Sequence, residues 1–330
     1  MIKQFLKSIS GLNFIDIGSS GSLDPKWKYL EPYINLVGFD PNAEECVRMS
    51  NLPNNFRSLK YLPHAVGGDA EKHILYKTRS IFCYSLLVPN SKWLNRFSFS
   101  DLFEITGEEI IETVKLSDVE EIRAFDVDII KVDTQGLELP ILSNSGDAFE
   151  KAFFIETETG FSENYLGETT FSQVDEYMRS KGFLLFDMNI AHRIPRNNVF
   201  KNTITGSEQL MWCEATWLKD YIQIYNEKKF GEKTINREKA LKILILCALQ
   251  GCIDYGYELA LLFNQFNLIN KFELENLSEK KSWLLINDLP LKNAKISILN
   301  LALRLLPTRT RLKIRDQAEL AVTQKHLFKF

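Results

Sequence analysis

Cysteine is scarce in this 330-residue chain, and what there is does not pair: Cys46, Cys83, Cys213, Cys247 and Cys252 are odd in number and form no C-x-x-C spacing. That excludes a disulfide framework and a thiolate metal site, and a reducing cytoplasm is the expected compartment. Long apolar runs are missing too. The longest, Ile243 to Leu249, has seven residues, where spanning a bilayer takes about 20, so no integral membrane span is expected. The apolar stretch behind Lys3 and Lys7 is cut by Ser10, Gly11, Asn13 and Asp16, which argues against a secretory leader. Charge of one sign is absent as well. With 40 Lys and Arg against 43 Asp and Glu, the net charge is -3, so nucleic acid is excluded as the main partner. There is no internal repeat. At 45% hydrophobic and 25% charged, the composition is that of a globular protein long enough for one large domain and an appendage.

Short apolar runs alternate with longer amphipathic ones from residue 11 to 217, the pattern of a mostly parallel sheet covered by helices. The expected strands are Asn13 to Ile17, Leu36 to Phe39, Tyr61 to Val66, Val127 to Val132, Ala152 to Ile155, Phe183 to Asp187 and Gln209 to Trp217. An insertion, residues 67 to 125, holds an extra strand at His73 to Lys77. Thr170-Phe-Ser-Gln173 reads as a capping box, and Gly182 as the end of the helix it starts. The last two strands are joined by Ala191 to Ser207, which carries no helix signal, so they are expected to run antiparallel. A charged stretch from Asn226 then leads into helical texture. The division expected is a domain over 1–225 and a C-terminal helical region over 226–330. Residues 292–330 carry nine Lys and Arg against Asp316 and Glu319. That basic tail is either a solvated face or a peripheral contact for an anionic membrane, and an oligomer is also open.

Carboxylates gather where these strands end. Asp16 and Gly18 close the first strand, Asp40 the second, Asp133 the fourth, and Glu156 with Glu158 the fifth. One such Asp needs no explanation beyond capping the next helix. In an open α/β sheet, however, the carboxyl ends of the strands border the ligand crevice, and four acid-bearing ends at one rim repel each other unless cations or donors lie among them. Asp40 follows Gly18 by 22 residues, the distance at which an acid meets a ribose hydroxyl. The loop Gly18-Ser19-Ser20-Gly21-Ser22-Leu23-Asp24-Pro25 lacks the third glycine of a dinucleotide fingerprint and puts Asp24 near the would-be phosphate seat. S-adenosylmethionine, with a ribose and two cationic groups but no phosphate, suits this loop better.

The segments "FIDIGSSGSLDPKW" (14 to 27), "VGFDPNAEEC" (37 to 46), "YSLLVPN" (84 to 90), "DIIKVDTQGLELPIL" (128 to 142), "ETGFSENYLGETTFSQVDEYMRSKGFLLFDM" (158 to 188) and "GSEQLMWCEATWLKD" (206 to 220) resemble FkbM-type S-adenosylmethionine-dependent methyltransferases, in the family's order. The resemblance implies a class I methyltransferase (Rossmann-like) fold, a seven-stranded mostly parallel sheet with an antiparallel last strand. It also implies O-methylation, commonly of sugars in glycans or natural products. Ser22, where a second glycine often follows Gly21, and Glu214, in place of a frequent Asp, depart from the family pattern.

On this reading Asp16, Gly18, Ser20 and Gly21 form the methionine side of the cofactor pocket and Asp40 holds the ribose. Ala65 and Val66, with His64, line the adenine. Asp133 is the first candidate for catalysis, as base or as ligand to a magnesium-like divalent cation. Glu138, Glu156 and Glu158 are its associates, all oxygen donors suited to a hard ion. Ser85 and Gln135 are candidates for positioning substrate. His192 is a second candidate base, and it can also join Arg193 and Arg196 in clamping an acidic sugar. Two other functions are weighed against this one. Tyr177-Met-Arg-Ser-Lys181 has the Y-x-x-x-K spacing of a nicotinamide-dependent dehydrogenase, and a catalytically silent scaffold could keep the same fold.

Overall fold

The computed structural model describes residues 1–21, 23–199, 208–231 and 234–285. Ser22 and the basic segment 292–330 lie outside the described residues. Seven strands form the main sheet: β1 (Leu12–Ile17), β2 (Ile34–Phe39), β3 (Ser58–Leu62), β7 (Ile129–Val132), β8 (Phe154–Gly160), β9 (Phe183–Asn189) and β12 (Trp212–Lys219). Their order is β3-β2-β1-β7-β8-β12-β9. β12 runs antiparallel to both neighbours, and the other contacts are parallel. This is the expected mostly parallel sheet with an antiparallel last strand. Between β3 and β7 a small sheet joins β4 (Ala65–Val66), β5 (Lys72–Thr78) and β6 (Ile105–Val114), and β10 (Arg193–Ile194) pairs with β11 (Gln209–Leu210).

Besides the run Gln209 to Trp217, which divides at Met211 into β11 and β12, three strands differ from their sequence reading. The run from Tyr61 to Val66 divides, because Pro63 has no N–H to give a ladder; β3 stops at Leu62 and β4 turns away to pair with β6. The strand expected at Ala152 to Ile155 begins two residues later and continues to Gly160, since β12 offers a partner along that whole length. The third, β6, was not foreseen. It is mostly exposed and mixes Ile with Glu, so it shows no apolar alternation, yet it pairs with the expected β5 over the length of that strand.

The helix Phe171–Ser180 forms as its sequence suggests. Gln173 Oε1 accepts the Thr170 N–H at 2.8 Å, Val174 and Met178 are fully buried, and Gly182 takes φ 79° after the last turn. One face of the sheet packs on this helix layer. The other face, through Leu12, Phe14, Leu36 and Phe154, joins a cluster completed by the helices Ile2–Ser8, Arg237–Gln250 and Ile253–Gln265. The described residues beyond 225 therefore share a core with the sheet. Their anchor is ionic as well as apolar. Asp128, fully buried, accepts from Asn13 N–H at 2.9 Å and pairs with Lys239 Nζ at 2.7 Å and Lys242 Nζ at 3.0 Å. Two buried ammonium groups thus share one carboxylate, with Val127 C=O accepting from Lys239 and Glu238 lying 3.8 Å from Lys242. Among the described residues no helix is long and apolar enough to cross a membrane.

Candidate active site

Residues two apart on a strand share a face, and that period carries the site. Phe14, Leu36, Ile129, Phe154 and Leu218 point into the cluster shared with the C-terminal helices. Two residues nearer the rim the same face turns polar. Gly38, Asp16, Lys131, Glu156 and Thr216 stand side by side across β2, β1, β7, β8 and β12. Two further along come Asp40, Gly18, Asp133, Glu158 and Glu214. The acids read from the sequence as one rim are thus two rows, an inner and an outer.

The inner row alternates in sign. Lys131 Nζ lies 3.4 Å from Asp16 Oδ1 and 3.7 Å from Asp133 Oδ2, and Lys26 binds the Glu156 carboxylate. Burial pushes Asp16 up from the ordinary carboxylate range, against the pull of Lys131. Burial likewise raises Glu156, opposed by Lys26 and Lys131. It works against the charge on Lys131 too, but Asp16, Asp133 and Glu156 together hold that amine above its usual value. Glu156 is therefore occupied by the two lysines.

The outer row is organised by the loop after β7. Gln135 adopts φ 58°, a left-handed conformation that costs a non-glycine residue on the order of 1 kcal/mol or more. Four hydrogen bonds hold it there. Its Nε2 donates to Asp133 Oδ1 at 2.9 Å and to Glu158 Oε1 at 3.0 Å, its Oε1 accepts from Tyr165 OH at 3.2 Å, and its carbonyl accepts from Ser85 Oγ at 2.7 Å. The amide thereby spaces two carboxylates that would repel one another. Ser85, 2% exposed, braces that loop from behind. Glu138 turns back into the same loop and accepts from the N–H groups of Thr134 and Gly136 at 3.0 and 3.1 Å. Burial raises its carboxyl to about 7, with those backbone donors opposing.

The loop after β1 fits tightly against that loop. Gly18 and Ser19 donate to Phe39 C=O at 3.0 Å each, and a Cβ on Gly18 would lie 1.9 Å from the Asp133 carbonyl oxygen. Only glycine lets the two loops meet. A Cβ on Gly21 would meet nothing within 4 Å, so the next turn borders open space. Ser19 Oγ is buried with no hydrogen-bond partner among the described residues. The Ser20 side chain and the Gly21 N–H both reach Glu45, on the helix Ala43–Asn51. Asp40 accepts from Asn42 N–H at 2.8 Å, and burial pushes it up to about 6, the Asn42 bond opposing. Asp16, Gly18, Asp40 and Asp133 are thereby brought to one mouth. Ala65 and Val66, both buried, lie on β4 just beyond the end of β3.

At the other end of the outer row Glu158 and Glu214 face each other across β8 and β12. His192 Nε2 lies 3.6 Å from Glu214 Oε1, and its ring stacks on Trp212 at 4.9 Å. His192 and, against burial, the Asn189 amide hold Glu214 down to about 2. Arg193 donates to Glu208 C=O at 3.1 Å, whereas Arg196 bonds Gln209 and lies over the Phe97 ring at 4.4 Å. Both line the β10–β11 hairpin rather than the carboxylate rows. Tyr177, of the Y-x-x-x-K spacing, packs on Phe149 in the helix layer.

Lys26, Lys131 and Glu45 take part without having been singled out, and Glu214 was marked only as a departure from the family pattern. Lys131 had a legible signal, a lone lysine in the apolar run Ile129-Ile130-Lys131-Val132 whose alternation aims it with Asp133. Lys26 had none, since its partner comes from a strand 130 positions away.

The Methyltransferase FkbM domain model matches residues 21–185. No curated protein matches the chain. Similar solved structures include a TehB-like SAM-dependent methyltransferase from Corynebacterium glutamicum (12% identity, 66% of this chain and 87% of that one, TM-score 0.31). Others are magnesium protoporphyrin IX methyltransferase from Synechocystis with bound SAM (8%, 66% and 76%, 0.32) and the N-methyltransferase NodS from Bradyrhizobium japonicum (9%, 66% and 92%, 0.29). Scores this low carry no weight beside the strand order itself. With the family model covering half of its length, the chain belongs to the FkbM methyltransferase domain family and is an S-adenosylmethionine-dependent methyltransferase.

Proposed function

We propose that the protein methylates a hydroxyl group, most often of a sugar in a glycan or natural product, and that Asp133 accepts the hydroxyl proton. The observation that carries this is the position of Asp133. It stands at the tip of the central strand, its carbonyl beside Gly18 and its carboxylate fixed between Lys131 and Gln135.

The residues present fit the cofactor. Asp16 and Asp40 are buried acids whose carboxyls burial raises; they gain from a cation beside them. The buried, unpartnered Ser19 Oγ and the open space at Gly21 leave a polar seat for it. Asp16, Gly18, Ser20 and Gly21 would hold its methionine side, Asp40 its ribose, and Ala65 and Val66 its adenine. When bound, the cofactor supplies an electrophilic methyl group on a sulfonium.

What remains for the chain is alignment and a proton path. Gln135 fixes Asp133 by accepting no freedom of its own, being held at both ends of its side chain and at its carbonyl. Lys131 keeps a positive charge beside the base, while Lys26 and Glu156 hold Lys131 in the row. The acceptor hydroxyl would lose its proton to the Asp133 carboxylate, and the methyl group it gains would be the one the cofactor releases from its sulfonium, which leaves as a neutral thioether. Arg193 and Arg196 on the hairpin would meet an acidic part of the acceptor, and Ser85 positions it indirectly, through Gln135.

Labelled methyl transfer to a panel of nucleotide-sugars and glycan intermediates tests the acceptor class. Asp133→Asn should abolish turnover while S-adenosylmethionine still stabilises the protein in thermal-shift assays. Normal turnover in that variant would remove Asp133 from the mechanism. Stabilisation by NAD instead would favour dehydrogenase chemistry, and stabilisation by neither a silent scaffold.

A further inference from the structure

We infer that Glu158, His192 and Glu214 form a site for a divalent first-row transition cation of the manganese or zinc class. The three side chains come from β8, from the loop before β10 and from β12, and each offers one ligand atom within 4.8 Å of the others. Glu158 and Glu214 oppose each other directly in the antiparallel ladder, a like-charge pairing that a cation bound between them would relieve.

The histidine supplies the second observation. Its Nε2 is out of solvent and has no hydrogen-bond partner among the described residues. The 3.6 Å to Glu214 Oε1 is too long for a good hydrogen bond. It is, however, close to the edge of a coordination tetrahedron, about 3.4 Å for bonds of about 2.1 Å. The separation therefore suits two ligands of one ion better than a donor and its acceptor.

Each ligand is also braced from outside, as metal ligands are. Glu158 receives Gln135 Nε2 at 3.0 Å, Glu214 receives Asn189 Nδ2 at 2.9 Å, and the His192 ring lies flat on Trp212. One nitrogen with two carboxylate oxygens favours manganese, iron, cobalt or zinc over magnesium or calcium, which prefer all-oxygen shells. Three protein ligands leave coordination positions open for an oxygen-bearing ligand. The magnesium-like site expected from the sequence at Asp133, Glu138 and Glu158 is thereby shifted. Asp133 is engaged by Lys131 and Gln135, and Glu138 by the loop N–H groups, while Glu158 finds new companions. Gln135 ties the two places together, since it binds both Glu158 and Asp133.

The test uses metal alone and so stands apart from methyl transfer. The untagged full chain, stripped with EDTA, is titrated with Mn2+ by electron paramagnetic resonance and with Zn2+ by calorimetry. One saturable site per chain is expected, with Mg2+ competing weakly. Glu214→Gln, close in shape to the native residue, and His192→Ala should each weaken binding by about tenfold or more, whereas Glu121→Gln on the surface should not. Circular dichroism checks that each variant is folded, and two independent variants guard against one failing. No saturable binding, binding unchanged in both variants, or Mg2+ bound as tightly as Mn2+ would overturn the inference.

Discussion

Replacing Asp40 by Asn should make the cofactor-free protein more stable and the cofactor site worse. Burial raises the Asp40 carboxyl from 3.8 to about 6, and the residue is 9% exposed. At roughly 1.4 kcal/mol per pH unit, that rise corresponds to about 3 kcal/mol by which the folded state disfavours the ionised form. The sign follows from linkage. Between about pH 4 and 6 the folded state binds more protons than the unfolded one, so stability falls as pH climbs through that window and the full cost is present above it. Asn carries no charge, and its side-chain oxygen can still accept the Asn42 N–H. Asp40→Asn should therefore stabilise by about 2 to 3 kcal/mol at pH 8 and by well under 1 kcal/mol at pH 4. For a chain of this size that is an increase in melting temperature of roughly 3 to 4 °C at the higher pH. Urea denaturation at both pH values, without cofactor, measures it. The same variant should bind S-adenosylmethionine more weakly, and wild-type binding should strengthen as pH rises through about 6. A variant that is less stable at pH 8, or equally stabilised at pH 4 and 8, would refute the assignment of Asp40 as a buried acid kept for a ligand.

Other outcomes follow from the same geometry. Gly18→Ala places a Cβ 1.9 Å from the Asp133 carbonyl oxygen at φ 80°. The strained backbone and overpacking together should cost about 2 to 5 kcal/mol by chemical denaturation and reduce turnover further by moving Asp133; a wild-type midpoint would mean that the loops are not in contact. Asp128→Asn removes the carboxylate that the buried Lys239 and Lys242 share, leaving Lys242 only Glu238 at 3.8 Å. Calorimetry should show a loss of about 3 to 5 kcal/mol, and no loss would mean the C-terminal helices are not tied to the sheet through Asp128. Lys131→Met removes the cation between Asp16 and Asp133. It should cost stability on the same scale and slow turnover more than it weakens cofactor binding; unchanged kinetics would leave Lys131 as packing alone.

Where the chemistry and the fold used the same local signal, the sequence was readable. Asp16, Asp40 and Asp133 each follow an apolar run and stand at the end of a parallel strand, and the Thr170 capping box and Gly182 bracket their helix. Signals that depend on a distant partner were not readable. Glu156-Thr157-Glu158-Thr159 has no apolar alternation of its own and looks like a loop. It is held extended because β12 pairs with it residue by residue. His192 reads by itself as a base or an anion clamp and Glu214 as a departure from the family pattern, but neither points to Glu158, since what brings them to it is the antiparallel return of the last strand. The separation of the acids into two rows is likewise a property of register, which no single strand contains.

The claim beneath all of this is that one acid-lined mouth receives a positively charged methyl donor. Calorimetric titration of S-adenosylmethionine into the full chain at pH 8, repeated with Asp16→Asn, addresses it most directly. The account predicts saturable binding of one cofactor per chain, weakened by about tenfold or more when the charge on Asp16 is removed. Absence of binding at millimolar cofactor, or equal affinity in the two proteins, would contradict it.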